Sequence, residues 1–363
     1  MEEYRPETAE EVYVPEGACT PEETYVPDEE TRKAAIVRSA RKVFSRMGWA
    51  CFFMLVIATV LAVALAAIIQ LAAPDLLKEA WAAFAISIIS TQLVAMPCAC
   101  LILKKMPRFI AEPQRFGLGA YLACVPVCVF LAEAGNIGGT ILDEFLGRLI
   151  GTGSGNVSLE TAFIRLPFWA LVLLLALVGP FMEELLFRKV LIDRMRGYGE
   201  KLAVVTSALM FGLMHGNLVQ SVYAFLVGLL FGYVYLRTGR IWGSYGLHFF
   251  MNFLTGVLPI QFAKNPLLRD YILGATLDTD DAAALGRFLQ DPQTALFPLY
   301  LLLILLLAAA GLVILIVKAR RLRFSGSSLQ IPKGKAFSSV WLTAGMLFFT
   351  LLCLSNITYT LLQ

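Results

Sequence analysis

Charge is scarce in this chain, and histidine is scarcer. Lys, Arg, Asp and Glu together make 16% of 363 residues, and the two histidines are His215 and His248. Soluble domains carry about 25% charged residues, so this is not the composition of a large soluble core. The seven cysteines (Cys19, Cys51, Cys98, Cys100, Cys124, Cys128, Cys353) contain no C-x-x-C, which removes the common zinc and redox spacings. Their odd count argues against a secreted disulfide framework. Six of them lie in apolar runs, where free cysteine behaves as a small buried hydrophobe. H-E-x-x-H is also absent. The first thirty residues are acidic and lack the basic start and apolar centre of a cleavable signal. The net charge of +3 is segregated along the chain, and nucleic acid is not an expected partner.

What is abundant is apolar sequence: 58% of residues, with a mean hydropathy of +0.72. This predicts an all-α, polytopic membrane protein with about eight or nine transmembrane helices. A span takes about 20 apolar residues. The candidates are 48–73, 81–103, 117–134, 166–187, 202–217, 219–236, 241–260, 294–317 and 337–362. Lys and Arg collect on the cytoplasmic side of membrane proteins. In a nine-span topology the stretch from Lys33 to Arg46, the clusters at 104–115, 188–201 and 237–240, and that at 318–335 all fall on one side. The other side receives 135–165 and the acidic loop around Asp278, Asp280 and Asp281. This places the N-terminus in the cytoplasm and the protein in the plasma membrane. The tight connection at Gly216 and Asn217 leaves two alternatives. Either the 202–217 helix is short and dips partway, or the boundaries slip by several residues.

Residues 1–32 are rich in Pro and Glu with few aliphatics, a composition of disorder. Within them, Glu10-Glu11-Val12-Tyr13-Val14-Pro15-Glu16 is echoed by Glu22-Glu23-Thr24-Tyr25-Val26-Pro27-Asp28. The repeat reads either as a docking motif for a basic partner or as a solvated acidic tail with chance similarity.

Three apolar segments carry polar side chains, and an ionisable group inside a span is costly enough to mark a functional site. In Phe181-Met182-Glu183-Glu184-Leu185-Leu186-Phe187-Arg188, Glu184 and Arg188 are i,i+4 neighbours with the acid first, the favourable order. Adjacent residues point about 100° apart, so Glu183 faces elsewhere, without a local partner. In Phe211-Gly212-Leu213-Met214-His215, Phe211 and His215 share a face, and Gly212 and Gly216 permit close helix approach. Alone, His215 reads more plainly as a histidine bonded to a backbone carbonyl. In His248-Phe249-Phe250-Met251-Asn252, His248 and Asn252 project together, towards protein or a wet cavity. The competing reading is a packing network with Ser244 and Tyr245.

The combination E-E-x-x-x-R, F-x-x-x-H and H-x-x-x-N on three successive apolar regions resembles the signature of the CPBP family. That family comprises CaaX proteases and bacteriocin-processing enzymes, also called Abi, and includes the type II CaaX prenyl endopeptidase. The likeness covers roughly residues 165–260. It implies an intramembrane peptidase in which Glu183 and His215 hold and activate water, His248 and Asn252 stabilise the oxyanion, and Glu184 and Arg188 are structural. With the spans and the composition, the chain divides into 1–32 acidic tail, 33–160 N-terminal transmembrane helices, 161–260 catalytic membrane core of the family type, and 261–363 extracytoplasmic loop and C-terminal helices. The substrate would be a membrane-associated peptide or protein, CaaX-like or bacteriocin-like. The family has often been called metalloproteases. A catalytic zinc takes three protein ligands plus water, and here the ligands would be His215, His248 and Glu183. If Glu183 ligates, no free carboxylate base remains. The residues therefore favour water activation with no firm metal, with a divalent metal such as zinc the alternative. A serine mechanism fits less well, because Gly151-Thr152-Gly153-Ser154-Gly155 lacks G-x-S-x-G spacing. Two non-proteolytic readings stand beside the enzyme: a membrane scaffold or immunity protein, and a proton-coupled transporter.

Overall fold

Apolar runs become helices almost without exception, because inside a bilayer a backbone must satisfy its own hydrogen bonds. The computed structural model describes residues 28–110, 114, 116–152, 163–272, 286, 290–327 and 329–362. The acidic repeat up to Pro27 lies outside the described residues, as do Gly153–Gly155 and, in the 261–293 region, residues 273–285 and 287–289. The helices are α1 (Glu29–Ala72), α2 (Trp81–Lys104), α3 (Leu118–Ile150), α4 (Phe168–Tyr198), α5 (Glu200–Leu213), α6 (Leu218–Thr238), α7 (Ile241–Ala263), α8 (Pro266–Ile272), α9 (Pro292–Lys318), α10 (Ala336–Val340) and α11 (Ala344–Leu361). No strand occurs among the described residues. Eight of these helices are long and apolar enough to cross a membrane.

Several expected boundaries are corrected. The acidic tail stops at Asp28, whose carboxylate accepts from the Thr31 N–H at 2.7 Å and caps α1. Residues 29–32 and the whole basic stretch are helical, so α1 starts well before its apolar run. Residues 135–150, expected in a loop, extend α3. The 337–362 segment breaks at Trp341–Thr343 into α10 and α11. At 14 residues, α5 reaches about 21 Å at 1.5 Å per residue, short of the roughly 30 Å hydrocarbon core. It is the short helix of the two alternatives. It nevertheless carries the chain to the far end, because the turn at Gly216 (φ +73°) meets the tip of α11, where Thr360 donates to the Gly216 carbonyl at 2.9 Å.

The opposite end gathers the basic clusters. Arg194 Nε donates to the Leu103 carbonyl at 2.7 Å, Arg41 reaches the carbonyls of Ser338 and Leu342, and Ser325 N–H donates to Glu200. Arg237 pairs with Gln114. Segments far apart in sequence thus share one face, as the charge pattern required.

Two large apolar cores lie side by side, with a small third cluster of Leu166, Leu171, Ala176 and Val257. One joins α1, α2, α4, α5, α6 and α11; the other joins α3, α6, α7 and α9. The two meet around His248, whose ring stacks on Phe231 of the second core at 4.9 Å and meets Phe211 of the first edge-on at 5.7 Å.

Within α2, α4 and α7 run π-wound stretches: Ile88–Ala95, Val172–Val178, Leu185–Ile192 and Asn252–Val257. Pro97, Pro180 and Pro259 stand two residues after three of them. Proline lacks an N–H and crowds the carbonyl one turn back, and a widened i→i+5 turn relieves the crowding. That geometry leaves one carbonyl open per proline, five residues before it. Side chains from other helices fill two of these places. Asn252 Nδ2 donates to the Leu175 carbonyl at 2.8 Å, and Tyr300 Oη to the Leu254 carbonyl at 3.1 Å.

Candidate active site

The site begins with a buried charge that needs an answer. Arg188 and Glu184 are both fully buried and pair at 3.2 Å across one turn of α4. The guanidinium also lies over the rings of Phe211 (4.5 Å) and Phe231 (5.5 Å), contacts worth up to about 2 kcal/mol when desolvated. Glu184 and Arg188 thus clamp α4 between α5 and α6.

His248, from α7, joins both glutamates. Its Nδ1 lies 3.1 Å from Glu184 Oε1, and its Nε2 lies 3.5 Å from Glu183 Oε2. With a carboxylate as neighbour, Nδ1 carries the proton, a tautomer assigned from this partner. Glu183 stands at the middle of α4 and is slightly accessible, unlike Glu184. Its other oxygen, Oε1, accepts from Gln92 Nε2 of α2 at 3.3 Å. Gln92 was not anticipated from the motifs. The signal was present, because Gln92 is an amide inside an otherwise apolar span, following Ser90 and Thr91. Gln92 Oε1 is buried without a hydrogen-bond partner.

His215 follows the end of α5. Its Nδ1 lies 2.8 Å from the Phe211 carbonyl, and its ring meets the edge of Phe211 at 4.9 Å. This is the carbonyl contact anticipated as the plainer reading, and it leaves Nε2 uncommitted. Glu183 lies within electrostatic reach of His215 and of Tyr223. Asn252, one turn beyond His248, spends one amide hydrogen on the Leu175 carbonyl and retains the other.

Glu183, Glu184, Arg188 and His248 therefore come into direct contact. His215 adjoins them through Phe211, and Asn252 is tethered to α4 beside them. For a metal, Glu183 and His248 offer two converging donors. Among the described residues no group of three or more His, Cys, Asp or Glu side chains could hold an ion. The donor set falls short of the three ligands of a catalytic zinc.

Comparison with known proteins falls on this region. Residues 165–254 match the family model for type II CAAX prenyl endopeptidase, Rce1-like, a stretch containing all three motifs. The chain is 27% identical over 175 residues to the "Putative membrane peptidase YdiL" of Bacillus subtilis, covering 46% of this chain and 68% of that protein. It is 33% identical over 106 residues to the UPF0177 protein YbdJ of Lactococcus lactis, covering 29% of this chain and 46% of that protein. The chain thus spans less than half the length of the latter. No solved structure matches. The resemblance read from the motifs is borne out over this segment.

Proposed function

We propose, from the match of residues 165–254 to the type II CAAX prenyl endopeptidase family, that this chain is an intramembrane endopeptidase. The substrate class is a membrane-associated peptide or protein, CaaX-like or bacteriocin-like. The single observation that carries the reading is the placement of Glu183. It is a carboxylate in the middle of a membrane-spanning helix, in contact with Gln92 and His248 and not spent on Arg188.

In this mechanism Glu183 takes a proton from water as general base, with His215 Nε2 holding the water from the other side. Such proton transfer contributes about 10²–10⁴-fold. Water attacks the scissile carbonyl carbon, and the negative charge develops on its oxygen. The free amide hydrogen of Asn252 and Nε2 of His248 are the donors for that oxyanion. One well-placed donor of this kind is worth roughly 10²–10³ in rate. Because Nδ1 of His248 already serves Glu184, donation through Nε2 requires the doubly protonated ring, and Glu183 and Glu184 flank it with negative charge. Glu183 then returns its proton to the leaving amine. Gln92 orients Glu183 and acts as a positioning residue. Cleavage proceeds without a metal, and the basic end of the molecule faces the cytoplasm of the cell's plasma membrane.

A non-proteolytic scaffold is the second reading, favoured by the carbonyl contacts of His215 and Asn252. One experiment separates them. Peptide termini in the membrane and secreted proteins are compared between cells carrying the wild type and Glu183→Gln at equal abundance. A terminus that vanishes in the variant supports proteolysis and names the substrate. Unchanged termini with a retained cellular phenotype favour the scaffold.

A further inference from the structure

Away from the peptidase site, α1 and the start of α11 border an open groove of about 410 Å³ lined by Arg38, Arg41, Lys42, Ser45 and Arg46 and by the turn at Thr343 and Ala344. The cations stand at i, i+3, i+4 and i+8, one face of a helix. Their concentration is unexplained by pairing: no carboxylate among the described residues forms an ion pair with any of the four. Arg41 is fixed in the wall by its bonds to the carbonyls of Ser338 and Leu342, at 3.0 and 3.2 Å.

Met47 to Pro74 carry no charge, and neither do the residues of α11, so both apolar stretches start at the rim of the groove. Helix contact there is close. A Cβ on Gly345 would strike the Ser45 carbonyl and the Trp49 N–H, and one on Gly48 would strike the backbone of Gly345 and Met346. The crossing of these two glycines brings α1 and α11 into backbone contact directly beside the groove. On the apolar side, Trp49 stacks on Phe348 at 5.0 Å and on Phe53 at 5.6 Å. Phe53, Phe348 and Leu351 are exposed. A positively charged cup thus opens onto an apolar, aromatic track that runs into the membrane, at the level where aromatic belts sit.

We propose that this groove binds the phosphate of an anionic phospholipid, whose acyl chain lies along Trp49, Phe53 and Phe348. Basic pockets between helices on the cytoplasmic side recognise such headgroups. A free phosphate would satisfy the cup and leave the aromatic track unused, which favours the lipid. The site stands apart from Glu183 and its readout needs no peptidase activity, so its failure and that of the peptidase reading are distinguishable.

Native mass spectrometry of the full chain, titrated in detergent with dioleoylphosphatidylglycerol, dioleoylphosphatidylcholine or inorganic phosphate, tests it. Tighter retention of phosphatidylglycerol is expected. Arg38→Gln should weaken it about fivefold, from about 1 kcal/mol per surface cation. Arg38→Gln with Lys42→Gln and Arg46→Gln should weaken it up to about 100-fold. Arg38→Lys with Arg46→Lys keeps the charge and should retain the lipid, separating lost charge from lost folding. Equal retention of the two lipids, or a triple variant that binds like the wild type, would overturn the proposal. Phosphate bound as tightly as phosphatidylglycerol would overturn the lipid assignment in favour of a soluble anion.

Discussion

At the residue scale, two buried interactions make opposite predictions. Arg188 and Glu184 are a fully buried pair, so removing one partner strands a charge. Arg188→Met should destabilise the protein by about 3–5 kcal/mol, read as a lowered midpoint of thermal unfolding in detergent. The double variant Glu184→Gln with Arg188→Met should recover much of that loss, since a neutral pair strands nothing. Gln92 differs, because its amide touches Glu183 alone among charged groups. Gln92→Leu should lower kcat about tenfold, the equivalent of one hydrogen bond to a charged group. KM and the unfolding midpoint should stay near wild type. A matching fall in stability would assign Gln92 to packing instead of positioning.

At the element scale, proline decides where the site's side chains point. Pro180 prevents the Leu175 carbonyl from finding a helical partner, and Asn252 answers from α7. The contact ties the H-x-x-x-N helix to the E-E helix. Pro180→Ala restores an N–H to α4 and lets the turn close from π to α, which removes the acceptor that holds Asn252. Such a change rotates everything on one side of the turn by a fraction of a residue step. The expected outcome is a well-folded protein with activity reduced about 10²-fold, as for one misplaced oxyanion donor. Activity and circular dichroism measured on the same preparation check it, and unchanged activity would separate Asn252 from the reaction.

At the scale of the whole molecule, the short helix α5 sets the membrane topology. It returns the chain to the end that holds Gly216, Thr360 and Thr152, while Glu200, Arg237 and Ser325 meet at the other. In the proposed orientation, Gly239→Cys is labelled by an impermeant maleimide only after cells are opened. Leu362→Cys, at the C-terminal cap of α11, is labelled in intact cells. The inverse pattern, with the first position labelled in intact cells and the second only after opening, would overturn nine passes and leave α5 as a re-entrant arm.

Composition and charge pattern alone determined the class: an all-α chain of apolar helices with its basic clusters at one end. Helical periodicity alone also set Glu184 against Arg188 and freed Glu183, because that relation is local and follows from 3.6 residues per turn. The helical start of α1 is not legible in its charged residues, because helix formation there needs a cap and a partner more than apolar residues. Tertiary structure decided what local spacing cannot carry. Gln92 reaches Glu183 across 91 residues of sequence, and Asn252 reaches Leu175 across 77. Likewise, His248 serves two glutamates that point in different directions along α4. Each of these contacts joins helices that only the packed fold brings together. No pattern within one helix encodes which residue of another will stand opposite it.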